Sequence, residues 1–167
     1  MALSRSLLAE FDFEMANTRK ALERVPEELF DWKPHNKSMS FGEIATHLAN
    51  IPTWAVRSIN FDSFDMAPPG EAPPRATLVK TNAELLETFD KNVGAAREAI
   101  SGASDELLRE KWSLLSGGNI VMTLPRLAVL RSFVMNHGIH HRGQLSVYLR
   151  LRDIPVPALY GPSADES

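Results

Sequence analysis

Phe133-Val-Met-Asn-His137-Gly-Ile-His140-His141-Arg142-Gly143-Gln144-Leu145 is the stretch whose reading decides the fold. Three of the chain's five histidines fall within positions 137 to 141. His137 and His141 are four apart, so on an α-helix they stand one above the other on the same face. Two imidazoles so placed can grip one divalent ion from the same side. Leu127, Leu130, Val134, Leu145 and Tyr148 recur around them at helical steps, which sets the pair in an apolar, inward-looking stripe. A histidine on such a face also serves as a core residue bonded to a carbonyl, and the pair alone leaves both readings open. His140 diverges from His141 by about 100°. It is placed to bond a ligand residue or a neighbouring helix rather than to be a ligand, so a third ligand has to come from another part of the chain.

At 167 residues the chain is expected to form one domain over 1–167, long enough to bury a sizeable core. A hydrophobic share of 44% against 23% charged residues is that of an ordinary water-facing globular protein. The formal charge of −3 provides no overall basic field, so no nucleic-acid partner is expected. No run of about 18 uninterrupted apolar residues is present. The N-terminal periodic segment carries Arg5, Glu10 and Asp12. Neither a membrane span nor a secretory signal is expected, and the cytoplasm is the expected compartment. Cysteine is absent, which removes disulfides, cysteine-type zinc sites and any thiol nucleophile of the protein's own.

Outward from the histidine stretch, the pattern is helical. Residues 3 to 24 read as a first helix, with Leu8, Phe11, Met15, Thr18 and Leu22 at steps of three and four. Pro26, followed by Glu27 and Glu28, predicts a break and a short helical turn. Trp32 to Lys37 is a connector, and His35 within it an exposed loop histidine. Ser40-Phe41-Gly42-Glu43 is a capping box, flanked by Met39 and Ile44 as a hydrophobic staple, so a second helix opens there. His47 then falls inside that helix, beside Ile44, Leu48 and Ile51. Pro52 should kink it, with residues 53–59 continuing beyond.

Residues 61 to 79 hold four prolines and a glycine in Met66-Ala-Pro68-Pro69-Gly70-Glu-Ala-Pro73-Pro74. A connection that long can cross the length of a bundle and let its flanking helices run parallel. Thr81-Asn-Ala-Glu84 predicts a further capped helix through Leu86, Phe89, Val93, Ala96 and Ile100, ended by Gly102. Ser104 caps a short one. Trp112 to Leu115 and Asn119 to Met122 flank Ser116-Gly117-Gly118 and read as a small hairpin. Thr123 with Pro125 starts the last helix, which runs to about Arg152 over roughly 43 Å at about 1.5 Å per residue. On it, Gly143 is expected to allow close packing of a neighbour, Arg142 to make a surface or interface ion pair, and Gln144 to lie beside the histidine stripe. Trp54 and Tyr160 are expected to be packing residues.

His47 is the remaining histidine set inside a helix on an apolar face. His47, His137 and His141 would supply three neutral nitrogens from two helices and leave coordination positions open, as in catalytic rather than closed structural sites. Other metal patterns fit less well. Gly138 after His137 rules out a His-Glu-x-x-His motif, and the paired Glu-x-x-His motifs of di-iron bundles are missing. Glu43 is committed to its capping box.

The run from Trp32 through Ser40-Phe-Gly-Glu-Ile-Ala-Thr-His47-Leu-Ala-Asn resembles the DinB superfamily, the damage-inducible helical proteins unrelated to the polymerase of the same label. So do His137-Gly-Ile-His140-His141-Arg-Gly-Gln-Leu-Ser-Val-Tyr-Leu-Arg and Pro155-Val-Pro-Ala-Leu-Tyr-Gly-Pro. The resemblance covers nearly the whole chain. It implies an all-α fold, a four-helix bundle running up-down-down-up with the long crossover between its second and third helices. It also implies nickel or zinc held by residues matching His47, His137 and His141. Some relatives carry Glu at the position of His137, where this chain keeps His. The family includes enzymes that use low-molecular-weight thiols such as mycothiol, bacillithiol or glutathione, as transferases or isomerases. The resemblance therefore implies a metal-dependent transferase that activates such a thiol toward a small electrophile. The alternatives are a metal-hydroxide hydrolase and a non-catalytic metal-binding stress-response protein. Pairing of relatives through bundle faces implies a homodimer.

Overall fold

The computed structural model describes residues 2–72 and 76–167. The first helix, α1 (Leu3–Leu22), buries Phe11, Met15, Thr18 and Leu22 as its spacing dictates, but at its start Leu7 is the buried residue and the expected Leu8 is only half-buried. A 3-10 turn over Glu27–Leu29 follows Pro26. Helix α2 (Phe41–Asn50) starts at a complete capping box: Ser40 Oγ accepts from the Glu43 N–H at 3.1 Å, and the Glu43 carboxylate accepts from the Ser40 N–H at 2.6 Å. That backbone bond, with Lys33 beside it, holds the Glu43 carboxyl below its ordinary pKa. Pro52 interrupts the ladder and α3 (Thr53–Asn60) continues beyond it.

Helix α4 (Asn82–Gly102) carries only half of the expected capping box. Thr81 Oγ1 accepts from the Glu84 N–H, but the Glu84 carboxylate takes the Lys80 N–H instead of that of Thr81. Ser104 caps α5 (Asp105–Arg109). Helix α4 packs against α1, α2 and α3. The final helical run, α7 (His137–Leu151), packs against α1 and α2. The principal core lies between these helices and includes Phe11, Phe41, Ile44, Leu85, Phe89, Ile100 and Leu145.

The protein is mostly helical, but the all-α expectation is corrected by a three-stranded mixed sheet. Its strands are β1 (Ser63–Asp65), β2 (Lys111–Ser116) and β3 (Asn119–Pro125), in that spatial order. The expected hairpin is β2–β3, antiparallel with Trp112 opposite Leu124 and Lys111 opposite Pro125. It is longer than expected, so Thr123 is a strand residue and helix begins only after Pro125. Gly117 and Gly118 take φ of +62° and +77°, as a two-residue hairpin turn requires. The Asp65 carboxylate accepts from both of their N–H groups, at 3.1 and 2.7 Å, and from the Ala67 N–H at 2.9 Å. These backbone donors, Ala67 first, lower the Asp65 pKa. Strand β1 lies inside the proline-rich connection and pairs parallel to β2. No strand is expected in that connection from the sequence; its Pro73-Pro74 portion lies outside the described residues. A second core under the sheet joins Trp112, Leu114 and Val129 with Trp54, Phe64 and Phe133.

The last helical run is also not uniform. Helix α6 (Arg126–Val129) passes into a π-helical segment, Leu130–Asn136, and only then into α7. The wider turn carries an extra residue, so consecutive Val134 and Met135 are both buried before regular phase resumes at His137.

Candidate metal centre

Helix α2 contributes His47 and helix α7 contributes His137 and His141. Their ring nitrogens come within 4.8 Å of one another. His47 Nε2 lies 3.2 Å from His137 Nε2, and His141 Nε2 lies 2.9 Å from the same atom. The His47 ring stands edge-on to both others, with centroids 4.9 Å from His137 and 4.5 Å from His141. Three Nε2 atoms therefore converge on one small volume. His140 is exposed, and its ring touches that of His141 at 5.0 Å without joining the convergence. His35 is an exposed loop residue whose Nδ1 accepts from the Lys37 N–H.

The three rings are set up to be neutral. Burial lowers the His47 pKa to about 4, with the neighbouring His141 and His137 adding to the shift. Burial is also the leading cause of the lowered values at His137 and His141. His141 Nδ1 lies 2.8 Å from Gln144 Oε1, a carbonyl oxygen that only accepts, so Nδ1 carries the proton and Nε2 presents its lone pair to the cluster. His137 Nδ1 is buried with no partner in full hydrogen-bond geometry, although the Phe133 carbonyl is near enough to favour the protonated ring.

The donor set fits a divalent ion. Tetrahedral zinc with bonds of about 2.0–2.1 Å places its nitrogen ligands about 3.3 Å apart. The 3.2 Å and 2.9 Å separations are within a few tenths of that. Without a cation, a neutral His137 has at most one Nε2 proton for two facing lone pairs. One approach would be a contact between acceptors. A cation removes that conflict.

A cleft of about 340 Å³ opens beside His47. Asn50, Thr53, Trp54, Arg57 and Phe64 line it with His47. Trp54, expected as a packing residue, both packs and lines: its ring meets Phe64, Trp112 and Phe133 at 5.4, 6.3 and 5.9 Å. Sequence reasoning missed Arg57. The signal was available, because positions 47, 50, 54 and 57 repeat at three and four and continue the His47 face past Pro52. It missed Phe64 as well, which only the β1–β2 pairing brings to the cleft.

The opposite side of α7 corrects two expectations. Arg142 is not at the surface. It is 1% exposed, and its Nη2 donates to Glu14 Oε2 at 2.6 Å across to α1. Its Nη1 donates to the Glu14 carbonyl and to Thr18 Oγ1. The Tyr160 hydroxyl, which also contacts Arg142, donates to Glu14 Oε2 at 2.7 Å and ties the C-terminal segment to the pair. The Tyr160 ring, though largely exposed, also packs as expected, 6.0 Å from the Phe13 ring and 5.2 Å from the Arg142 guanidinium carbon. Gly143 is exposed, and a Cβ there would meet nothing within 4 Å, so no neighbour packs closely on it.

Among the described residues, no helix is long and apolar enough to cross a membrane. The uncharacterized protein YrdA of Bacillus subtilis (strain 168) is 26% identical over 161 residues, covering 95% of this chain and 89% of that protein. A solved DinB-like protein from Bacillus cereus ATCC 10987 superposes with a TM-score of 0.75 at 20% identity, covering 95% of this chain and 98% of that one. The DinB-like protein YjoA of Bacillus subtilis gives a TM-score of 0.71 at 18% identity, covering 95% and 99%. A model of the DinB family matches residues 1–167, and the chain belongs to that family.

Proposed function

We propose that His47, His137 and His141 are the ligands of one divalent ion, nickel or zinc, in a metal-dependent transferase. The reaction would activate a low-molecular-weight thiol (mycothiol, bacillithiol or glutathione) toward a small electrophile. The observation that carries the reading is the convergence of three neutral Nε2 atoms, all within 4.8 Å, at the edge of a cleft of small-molecule size. A divalent ion held by three neutral nitrogens keeps its full charge and favours the thiolate form of an external thiol. The residues around it have separate tasks: Gln144 orients His141, and Ile51, Trp54 and Phe64 give the cleft apolar walls. The lack of any cysteine is consistent with a thiol supplied from outside.

The same reading takes residues 1–167 as one domain and the helices α1, α2–α3, α4 and α7 as an up-down-down-up bundle. The mutual packing of α1 with α4, α4 with α2, α2 with α7 and α7 with α1 supports that closed ring. A cytoplasmic homodimer completes the reading.

The test measures bound metal first. Wild type should hold one ion per chain; His137→Ala and His141→Ala should lose most of it, whereas His35→Ala and His140→Ala should not. Full retention after both triad substitutions refutes the ligand set. Nickel- or cobalt-loaded protein is then mixed with each of the three thiols and a chloro-nitroarene. An absorption change with release of about one proton per thiol near neutral pH supports the transferase. No spectral change and no rate gain with any thiol refutes it.

A further inference from the structure

Arg57 stands in the cleft beside the histidines without a counter-charge. Its guanidinium carbon lies 4.4 Å from the centre of the Phe64 ring and 5.4 Å from that of Trp54. Among the described residues it has no carboxylate partner and no hydrogen-bond acceptor. The two buried arginines are different: Arg126 holds Asp62 at 2.7 Å and Arg142 holds Glu14 at 2.6 Å. Arg57 is partly buried and rests on aromatic rings, so its charge is partly desolvated while its N–H fork remains available. A fork of that geometry matches a carboxylate by two parallel hydrogen bonds.

The position along the helix bounds the length of what binds. His47 and Arg57 are ten residues apart on the α2–α3 run, about 15 Å along the axis at about 1.5 Å per residue. An acetate-sized anion cannot touch both ends. A molecule of tripeptide length, roughly 10 Å when extended, can do so once the side chains reach inward. Between the ends, Trp54 and Phe64 offer an apolar wall and Asn50 and Thr53 a polar one.

We propose that Arg57 is the specificity-determining residue of this cleft and that its ligand is an elongated small molecule bearing a carboxylate. The carboxylate pairs with the Arg57 guanidinium, the middle lies along Trp54 and Phe64, and the other end reaches the His47–His137–His141 cluster. The inference rests on the reading of the cleft as the substrate site. It separates the three thiols by chemistry: glutathione and bacillithiol carry free carboxylates, whereas mycothiol carries none.

The test uses the metal-free full-length protein and S-methylglutathione, whose thiol is blocked, beside its diethyl ester, whose carboxylates are masked. Titration calorimetry and backbone amide shifts over residues 50–64 report binding. Wild type should bind the acid at least about tenfold more tightly than the diester. Arg57→Gln should lose that preference, and Arg57→Lys should keep part of it as a point charge. Thermal melts of both variants establish that each is folded. Equal binding of acid and diester by wild type, an unchanged preference in folded Arg57→Gln, or no binding of the acid at about 10 mM overturns the assignment. Displacement by inorganic phosphate at the same concentration as by the acid overturns it too, because the site would then read charge alone. With no metal and no free thiol present, these outcomes are independent of the thiol–metal absorption that tests the transferase.

Discussion

Replacing Glu14 with Ala would leave the Arg142 guanidinium inside the protein without its counter-charge. The two side chains are 2% and 8% exposed, so solvent screens the pair little. Two bonds to Glu14 Oε2 are lost, one from Arg142 Nη2 and one from the Tyr160 hydroxyl. The bonds from Arg142 Nη1 to the residue 14 carbonyl and to Thr18 remain possible. Breaking a buried pair from one side costs about 3–5 kcal/mol, mostly because a charge is orphaned. For a domain of this size, at about 2–4 °C per kcal/mol, the melting temperature should fall by roughly 6–20 °C. The double variant Glu14→Leu with Arg142→Met removes both charges and fills the space with apolar atoms. It should be more stable than Glu14→Ala alone. Tyr160→Phe, which removes both the bond donated to Glu14 Oε2 and the one accepted from Arg142 Nη2, should cost about 1–3 kcal/mol. Urea unfolding of the variants, with midpoints and slopes compared, measures these differences. A loss below about 1 kcal/mol for Glu14→Ala, or a double variant as unstable as the sum of its parts, would refute the reasoning.

Gln144→Leu removes the acceptor that orients His141; competition with a chelator should show metal affinity weakened about 10–100-fold, with stoichiometry restored at saturating metal. An unchanged affinity would mean that His141 is oriented by packing alone. Acid should destabilise the metal-free protein. The folded state holds His47 near pKa 4 and the unfolded chain near 6.5, so between those values the unfolded chain binds more protons and stability falls as pH falls. His137 and His141, lowered in the same direction, add to the slope. Denaturation midpoints of wild type and His47→Gln across pH 4–7 should diverge, with the shallower dependence in the variant; parallel curves would contradict the neutral buried ring.

What the sequence by itself determined is local in origin. Ser40 and Glu43 lie three residues apart, and their reciprocal bonds form wherever a helix starts between them. His137 and His141 share a face because the helix repeats every 3.6 residues. Pro52 interrupts the helix because it has no N–H to give. The Gly117-Gly118 pair turns the hairpin because both positions need positive φ. The side of the helix on which His140 and Gln144 lie follows from the same repeat.

The tertiary structure decided what depends on distant partners. Helical phase places Arg142 about 100° from His141, off the histidine stripe, but it does not say whether that direction meets water or another helix. It meets Glu14, 128 residues away, so the ion pair expected of Arg142 at the surface or an interface is made inside the protein. Strand β1 is three residues long inside a proline-rich run, and it exists because β2, fifty residues later, offers it a parallel edge. The π-helical segment depends on packing as well, since its extra residue turns Val134 and Met135 together into the core ahead of His137. Arg57 is a cleft residue rather than one more surface charge because that strand carries Phe64 against it. Short-range periodicity can orient a side chain, but only the packing of distant segments supplies what that side chain faces.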